Sequence, residues 1–383
     1  MKTDWLQKTL AEVIAEMRNG LNCKQTKSGV GSPISRIETI SDGTVNFDRV
    51  GYASISDNER SKYRLRRGDI LFSHINSNVH VGKSAILDDD RELYHGVNLM
   101  LIRPSSELYD RYLHYFFQSL YLSGYWRTIC KQSVNQASVN QGDIGKVIVR
   151  YPRIEEQKRI VAILGEAFEG LDRAAANAKK NLANARELFD SYLAAALMGG
   201  DSTLGEVVEI RTGKLDANAA VENGPYPFFT CSREIYAIDK YAFDCEALLL
   251  AGNNAVGDFN VKHYAGKFNA YQRTYVITIP DVTMASYRYL YFQLIKNLAI
   301  FKRQAVGTGT KFLKLPMIKS LPISIPLIAE QTRIAEKLDE LLQHTESLSS
   351  TYTAKLNSIS ELKQSILQKA FAGELPERLD LAA

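Results

Sequence analysis

The sequence has no uncharged apolar run of about 18 residues, so no membrane-spanning helix is predicted. Residues 1–20 carry charges throughout and lack the apolar core of a secretion signal. The four cysteines (Cys23, Cys130, Cys231 and Cys245) include no close pair. That spacing argues against a zinc motif or a disulfide framework and suits a reducing compartment. We therefore expect a cytoplasmic protein that does not contact membranes.

Recognisable catalytic motifs are also missing. Residues 77–84 end like a phosphate-binding loop, but Ser77 stands where that motif requires its first glycine, so Gly82 and Lys83 are better explained as a turn. Residues 252–259 do not form Gly-x-Gly-x-x-Gly, no Asn-Pro-Pro-aromatic motif occurs, and the six histidines lack metal-ligand spacing. We expect a binding protein with no catalytic residue, metal or bound cofactor. The enzymatic alternative is a methyltransferase or nuclease with unrecognised motifs.

What the sequence does contain is an internal repeat. Residues 144–200 align without a gap on residues 318–374, a shift of 174 positions. The match is too long to expect by chance, so we infer that one unit was duplicated. The shared positions include these pairs: Pro152 and Pro326, Glu156 and Glu330, Gln157 and Gln331, Arg159 and Arg333, Ile160 and Ile334, Leu164 and Leu338, Leu193 and Leu367, Gly199 and Gly373.

Each repeat ends in a segment with the 3.5-residue apolar period of a coiled coil. We expect two helices of roughly 40 residues, each beginning after its proline and ending at a glycine. We expect Leu338, Leu341, Leu348 and Ile359 to face the neighbourhood of Leu164 and Leu171. The predicted seam of the second helix is Ile334, Leu338, Leu341, Thr345, Leu348, Tyr352, Ile359, Leu362 and Ile366. That of the first is Leu164, Ala167, Leu171, Ala174, Ala178, Ala185, Leu188 and Tyr192.

The segments before the helices contain short β-rich runs and one helical run each. Their corresponding pieces are 69–75 and 246–252, 97–102 and 274–279, and 110–120 and 286–296. The predicted fold class is α+β, with two globular domains separated by two long helices that pair as an antiparallel coiled coil, in an internal pseudo-two-fold repeat. Parallel helices are the alternative, but they would bring both domains to one end. The predicted segments are 1–151, 152–200, 201–326 and 327–383.

Net charge differs between these segments, at +4, 0, +3 and −3 in chain order. The excess of basic residues is either ordinary surface variation or the mark of two domains that face a polyanion. Polar residues that can bind phosphates and base edges recur at corresponding places in both domains, although Asn and Gly also serve turns. In the first domain these candidates are Arg64, Arg66, Arg67, His74, Asn76, Asn78, His80 and Lys83. In the second they are Asn253, Asn254, Lys262, His263, Lys267, Tyr271, Gln272 and Arg273.

The repeated helix start, with proline followed by Glu-Gln, a basic residue and Ile, resembles the specificity subunit of type I restriction-modification systems. Residues 152–160 and 326–334 carry this motif, and the resemblance spans the whole chain. Trp5 to Val13, with its echo in Leu204 to Val207, resembles the start of a target-recognition domain. The run from Leu367 to Leu375 resembles the end of the second helix, while the first helix ends in a slightly departed version.

The resemblance implies that residues 1–151 and 201–326 are two target-recognition domains, each reading one half of a bipartite, asymmetric site in double-stranded DNA. It implies that the helices fix the separation and carry two modification subunits, which supply S-adenosylmethionine and adenine methylation. Restriction subunits would supply ATP- and Mg-dependent translocation and cleavage, so this chain would bind no cofactor and would not itself be an enzyme. A coiled-coil scaffold with no nucleic-acid role is a further alternative.

Overall fold

The computed structural model describes residues 5–40, 43–133 and 136–375, and the chain divides into two compact units. One unit comprises the residues up to 177 together with those from 355 onward, and the other comprises residues 178–354. Each long helix therefore contributes to both units. The four-segment division made from the sequence remains a prediction, because the units are set by contacts and not by the repeat.

The first unit is built on a four-stranded antiparallel sheet in the order β2-β8-β5-β7. Helix α3 packs on this sheet, and the buried cluster between them includes Phe72, Tyr112, Phe117 and Trp126. The elements are β1 (Leu6–Thr9), α1 (Leu10–Val13), β2 (Ile14–Asn19), β3 (Ser32–Ile34), β4 (Gly51–Ala53), α2 (Asp57–Tyr63), β5 (Ile70–Phe72), β6 (Ile75–Asn76), β7 (Ser84–Ile86), β8 (Met100–Pro104), α3 (Asp110–Leu122), α4 (Tyr125–Ile129), β9 (Lys131–Ser133), β10 (Gln136–Ser138), α5 (Gln141–Gly145) and β11 (Ile148–Tyr151), followed by the long helix α6 (Ile154–Ala196).

The second unit is built on a six-stranded sheet in the order β13-β19-β16-β18-β14-β15. Helix α8 packs on it, and Leu248, Leu250, Ile277 and Leu290 belong to the buried cluster. The elements are β12 (Ser202–Thr203), α7 (Leu204–Val207), β13 (Glu209–Thr212), β14 (Tyr226–Phe229), β15 (Ile235–Ile238), β16 (Phe243–Ala251), β17 (Asn253–Asn254), β18 (Val261–Ala270), β19 (Thr274–Thr278), α8 (Tyr287–Gln304), β20 (Lys311–Phe312), α9 (Leu315–Lys319) and β21 (Pro322–Ile323), followed by α10 (Ile328–Ala372).

The repeat inferred from the helices extends through both globular parts. The order β2-β8-β5-β7 in the first unit recurs as β13-β19-β16-β18 in the second, and the pair β1-β11 recurs as β12-β21. The short helix after β1 begins with a capping box of Thr9 and Glu12, and its counterpart begins with Thr203 and Glu206. The predicted α+β class and the predicted correspondence of segments are confirmed.

A buried glutamine explains why Pro…Glu-Gln recurs at the start of both long helices. Gln157 is fully buried, accepts a hydrogen bond from the Tyr109 backbone N–H, and donates to the carbonyl oxygens of Glu107 and Pro152, all at 2.8–2.9 Å. Gln331 repeats this geometry in the second unit. It accepts from the Ser286 N–H and donates to the Met284 and Pro326 carbonyl oxygens, at 2.8–2.9 Å. Each glutamine therefore ties a helix start to the loop before α3 or α8.

The two long helices are antiparallel within each unit. In the second unit the Asn181 amide donates to the Tyr352 hydroxyl at 3.2 Å, and Arg186 donates to Ser349 at 3.5 Å, so residue numbers rise along one helix as they fall along the other. In the first unit Lys363 forms an ion pair with Asp172, while Leu164 and Leu367 belong to one buried cluster. The predicted antiparallel pairing is confirmed.

The predicted seam was wrong at Leu188, Leu348 and Leu362, whereas Ala167 is 1% exposed and Leu341 packs against the buried cluster of the second unit. Leu348 and Leu362 are each 43% exposed and Leu188 is 65% exposed, so these residues do not fill the interface. In the observed seams, the residue that follows each of these positions is buried or half-buried. Counted from Leu338 or Leu164, the observed seam advances by four residues and then three, whereas the predicted seam advanced by three and then four. The observed seams are 338, 342, 345, 349, 352, 356, 359, 363, 366 and 370 in α10, and 164, 168, 171, 175, 178, 182, 185, 189, 192 and 196 in α6.

The predicted partners of Leu338 also need correction. Leu338 lies in the second unit, in the same buried cluster as Phe189 and Leu193, whereas Leu164 lies in the first unit with Ile366 and Leu367. The antiparallel direction is the reason, because it pairs the beginning of one helix with the end of the other. Residues at equivalent positions of the two repeats therefore do not face each other.

Replacing Gln157 with Leu should destabilise the protein although the volume is nearly unchanged. The substitution leaves the Tyr109 N–H and two carbonyl groups without their partner, at about 1–3 kcal/mol for a buried unpaired group. Urea denaturation should show this loss. The matched control is Gln343→Leu at an exposed position of α10, which should stay within about 0.5 kcal/mol of the parent. Equal stability of the two variants would contradict the proposed role of the hydrogen bonds.

The seam correction predicts a contrast between two leucines in one helix. Leu338→Ala removes a fully buried side chain and should cost about 2–5 kcal/mol, whereas Leu348→Ala removes one that is largely in solvent and should cost less than about 1 kcal/mol. Thermal or urea unfolding of both variants measures the difference. Comparable losses would favour the seam predicted from the sequence over the observed one.

Candidate nucleic-acid interface

One polar surface of the first unit is formed by residues 73–83, helix α4 and the hairpin β9-β10, which together we call the first polar face. The hairpin is joined to the loop because β10 pairs with β6, with Ala137 opposite Asn76. Helices α3 and α4 pack against the loop formed by residues 73–83. The Tyr121 hydroxyl donates to the Val79 carbonyl oxygen at 2.9 Å, and Gly82, at φ +87°, lies directly against Trp126, where no side chain would fit.

The second unit has the corresponding surface, formed by residues 252–260, the end of helix α8 and the turn 306–312, which we call the second polar face. Strand β17 pairs with β20, with Lys311 opposite Asn254, so Asn254 occupies the position of Asn76 in the first unit. Both asparagines stabilise their loops. Asn76 accepts from the Ser77 N–H at 2.8 Å, and Asn254 accepts from the Val256 and Asp258 N–H groups at 2.9 and 3.0 Å.

Basic side chains gather around the second polar face. A methyl group placed on Gly257 would lie 3.3 Å from Lys302 Cγ and 3.5 Å from Lys311 Cγ, so the stems of both lysines cover this turn. The Arg273 guanidinium lies 5.1 Å from the centre of the Phe312 ring. Arg233 forms an ion pair with Asp258 at 2.9 Å. This concentration of cations creates a positive potential suited to phosphate groups.

Carboxylates are absent from long stretches of both faces. In the first unit, residues 70–87 and 111–142 contain no Asp or Glu. In the second, residues 259–280 and 282–329 contain none, and Asp258, the face residue just before the first of these stretches, is neutralised by Arg233. This absence is visible in the sequence and would have identified Arg127, Lys131, Lys302 and Lys311, which the list of predicted residues missed. A polyanion could approach both faces without meeting like charge.

The predicted residues of the first unit fall into two groups. Asn76, Asn78, His80 and Lys83 lie on the first polar face, with Asn78 and His80 exposed, and His74 lies beneath it, 5% exposed. The three arginines lie at the opposite end of β5. Arg64 lies 3.6 Å from Glu92, Arg67 forms an ion pair with Asp88 at 3.0 Å, and the exposed Arg66 follows Leu65 on this same end. The structure does not bring the arginines together with the loop.

The predicted residues of the second unit also separate. Asn253, Asn254, Lys262 and Arg273 surround the second polar face, and Lys262 donates to Asn260 and to the Ser232 carbonyl oxygen. The burial of Lys262 lowers its pKa. The remaining four make local contacts elsewhere: His263 with Glu246 at 2.8 Å and stacked on Tyr287, Lys267 over the Tyr241 ring, Gln272 with Asp216, and Tyr271 with Leu215.

Buried histidines support the first unit and do not form a metal site. Burial lowers the pKa of His95 and of His114 to about 4, and it also lowers the pKa of His74. His95 contacts the Leu99 carbonyl oxygen through Nε2 at 2.9 Å. Within residues 5–40, 43–133 and 136–375, no cluster of three His, Cys, Asp or Glu side chains is arranged to hold a metal ion. In the same part of the chain, no helix is long and apolar enough to cross a membrane.

Comparison with known proteins places this arrangement in a family context. A family model described as the type I restriction modification DNA specificity domain matches residues 2–181 and again residues 200–358. The two matches together cover most of the chain, one for each repeat.

Individual relatives match over shorter stretches. A protein of Methanocaldococcus jannaschii, assigned as the specificity subunit of the type I restriction enzyme MjaX, is 42% identical over 171 residues, or 44% of this chain and 40% of its own. The specificity subunit of the Escherichia coli type I restriction enzyme EcoDI is 41% identical over 172 residues, or 45% of this chain and 37% of its own. The match thus spans less than half the length of either relative.

The fold has a counterpart among solved structures. A chain solved in a study of complex assembly and conformational transition of the type I R-M system superimposes with a TM-score of 0.70, covering 98% of this chain and 99% of that chain at 17% identity. At this identity the likeness concerns the fold and not individual side chains.

The buried histidines predict how stability depends on pH. An unfolded histidine titrates near pH 6.5, so between that value and about 4 the unfolded chain binds more protons than the folded one, and stability should fall as the pH falls through this window. His95→Gln removes one such group. Its free energy of unfolding should vary less steeply between pH 6.5 and 4, by up to about 1.4 kcal/mol per pH unit. Urea denaturation across this range tests it, and identical slopes for parent and variant would contradict it.

Proposed function

Because the chain belongs to the type I restriction modification DNA specificity domain family, we propose that it is the DNA specificity subunit of a type I restriction-modification complex. It would read a bipartite, asymmetric site in double-stranded DNA, one half-site with each unit. The observation that carries this proposal is the recurrence of a polar face without unpaired carboxylates at the same place in two copies of one fold. That electrostatic pattern favours the binding of a polyanion, and a coiled-coil scaffold gives no reason for it.

The proposal of an asymmetric site is supported by the side chains on the two faces. The backbone pairing of Asn76 with Ala137 recurs as Asn254 with Lys311, so the supporting framework is alike in both units. Both faces carry cations, Arg127 and Lys131 on the first and Arg273, Lys302 and the half-buried Lys311 on the second, but the first also presents Asn78, His80 and Gln136. Different donors and acceptors at equivalent places favour different base sequences.

Partners supply the chemistry in this proposal. Two modification subunits would dock on the paired helices and carry S-adenosylmethionine, and restriction subunits would carry the ATP- and Mg-dependent activity. The chain itself would be a non-catalytic component. The names of the two curated relatives, which are specificity subunits of type I restriction enzymes, support this assignment. A methylation assay of the purified chain alone should therefore show no activity.

The electrostatic contribution of the second polar face provides the experimental test. Lys302→Ala and Lys311→Ala should weaken binding to every duplex alike, and each should reduce the slope of log affinity against log salt by about 0.9 if the lysine contacts a phosphate. Lys180→Ala, at an exposed position of helix α6, is the matched control and should leave the slope unchanged. Titration of fluorescent duplexes at several salt concentrations, with the full chain and its co-purified partners, measures these slopes.

The same titrations separate the alternatives. A protein that binds no duplex at any salt concentration would be a scaffold, and the proposal would fail. Methylation or cleavage by the purified chain alone would indicate an enzyme with unrecognised motifs. Equal slopes for Lys180→Ala and the two face variants would show that binding occurs through another surface.

A further inference from the structure

Each polar face presents a narrow hairpin at its outer edge. In the first unit Lys131 lies opposite Ser138, and Ser133 lies opposite Gln136. Residues that lie opposite each other in an antiparallel pair direct their side chains to the same side. Lys131, Ser133 and Gln136 are exposed on one side of this ribbon, while Ala137, which points the other way, is only 1% exposed and belongs to the core. The ribbon is therefore anchored through Ala137, although Gln132 opposite it is exposed, and the side that carries Lys131, Ser133 and Gln136 is open to solvent.

The open side of this ribbon carries groups that the protein itself does not use. Within the described part of the chain, the side chains of Gln136 and Lys131 make no hydrogen bond or ion pair, whereas Asn76 and Asn254 accept hydrogen bonds within their own loops. The Gln136 amide therefore keeps both its donors and its acceptor available. An exposed, unpaired amide at the edge of a carboxylate-free face is suited to an external hydrogen-bonding partner.

The second unit has the equivalent ribbon with different groups. Val306 pairs with Phe312, and both hydrogen bonds of this pair are formed, at 2.8 and 3.1 Å. Its turn consists of Gly307, Thr308, Gly309 and Thr310, with Thr308 exposed and no amide side chain present. The described strands of the first ribbon are Lys131–Ser133 and Gln136–Ser138. The two ribbons pair with equivalent loops but carry different side chains.

We propose that these two ribbons are the base-reading elements of the protein, with Gln136 and Thr308 as specificity-determining residues. This inference rests on the proposed function. The major groove of B-DNA accommodates a two-stranded β-ribbon, and a Gln amide can pair with both the N6 and N7 positions of adenine, whereas a threonine hydroxyl is less selective. Arg127 follows the buried Trp126 as Lys302 follows the buried Phe301. We assign these two exposed cations to the phosphates that flank each half-site.

The test is a binding panel in which every base pair of the preferred site is changed in turn. Gln136→Ala should lose discrimination at one base pair of one half-site by about 5- to 150-fold, the range for a bidentate contact, while other positions and the salt dependence stay as in the parent. Gln7→Ala, an exposed glutamine on β1, is the matched control and should leave the whole profile unchanged. Thermal unfolding of each variant verifies that folding is unaffected.

The reciprocal experiment uses Thr308→Val in the same binding panel. This variant should change base-pair discrimination at the other half-site only. A Gln136→Ala profile identical to that of the parent, or one altered equally at both half-sites, would overturn the assignment of the ribbon while leaving the proposed function intact. A parent protein that binds DNA without sequence preference would overturn both. The salt titrations of Lys302→Ala and Lys311→Ala are independent of this panel, so the two failures can be told apart.

Discussion

The antiparallel pairing of the long helices is the constraint on which both units depend. Within the first unit, helix residues before Asn177 find their partners after Lys355, so neither sequence repeat can complete its own apolar seam. The first unit therefore requires the C-terminal part of helix α10. Such long-range pairing is tolerable for stability, because the entropy of closing a loop grows only with the logarithm of its length. It also means that an isolated repeat would expose the seam that includes Phe168 and Leu164.

Much of the fold could be predicted because it is expressed in local patterns. The repeat fixed the number of units, and the β-rich runs with one helical run each gave the core sheet and the helices α3 and α8. The register of the apolar seam in the two long helices was harder to predict. Helix α10 places Leu341 next to Leu342, and α6 places Leu188 next to Phe189, so a 3.5-residue period fits either choice. Only the direction of the neighbouring helix decides between them, and a pattern within one helix does not contain that information.

The candidate interface was predicted in part for a related reason. The prediction selected basic and amide residues along the chain, so it included Arg64 and Arg67. These two arginines form ion pairs with Glu92 and Asp88 at the far end of β5. The prediction did not include Lys311 and Gln136, whose proposed roles depend on a hairpin that pairs with a loop more than fifty residues earlier. The sequence also contains an informative absence that the prediction did not use. Long stretches with no Asp or Glu include the hairpin of each unit and lie in or next to the loop with which it pairs.

The side-chain hydrogen bonds of the glutamine at each helix start go only to backbone atoms. Gln157 and Gln331 bind N–H and carbonyl groups, and every residue type except proline offers both, so the joint does not depend on which side chains the adjoining domain carries. A connection of this kind can join the helix to any domain that has the same backbone at this place. It lets the recognition surface drift, or be exchanged for another of the same backbone, without any compensating change in the helix. Selection for new target sequences could then act on one part of the molecule while the framework stays constant.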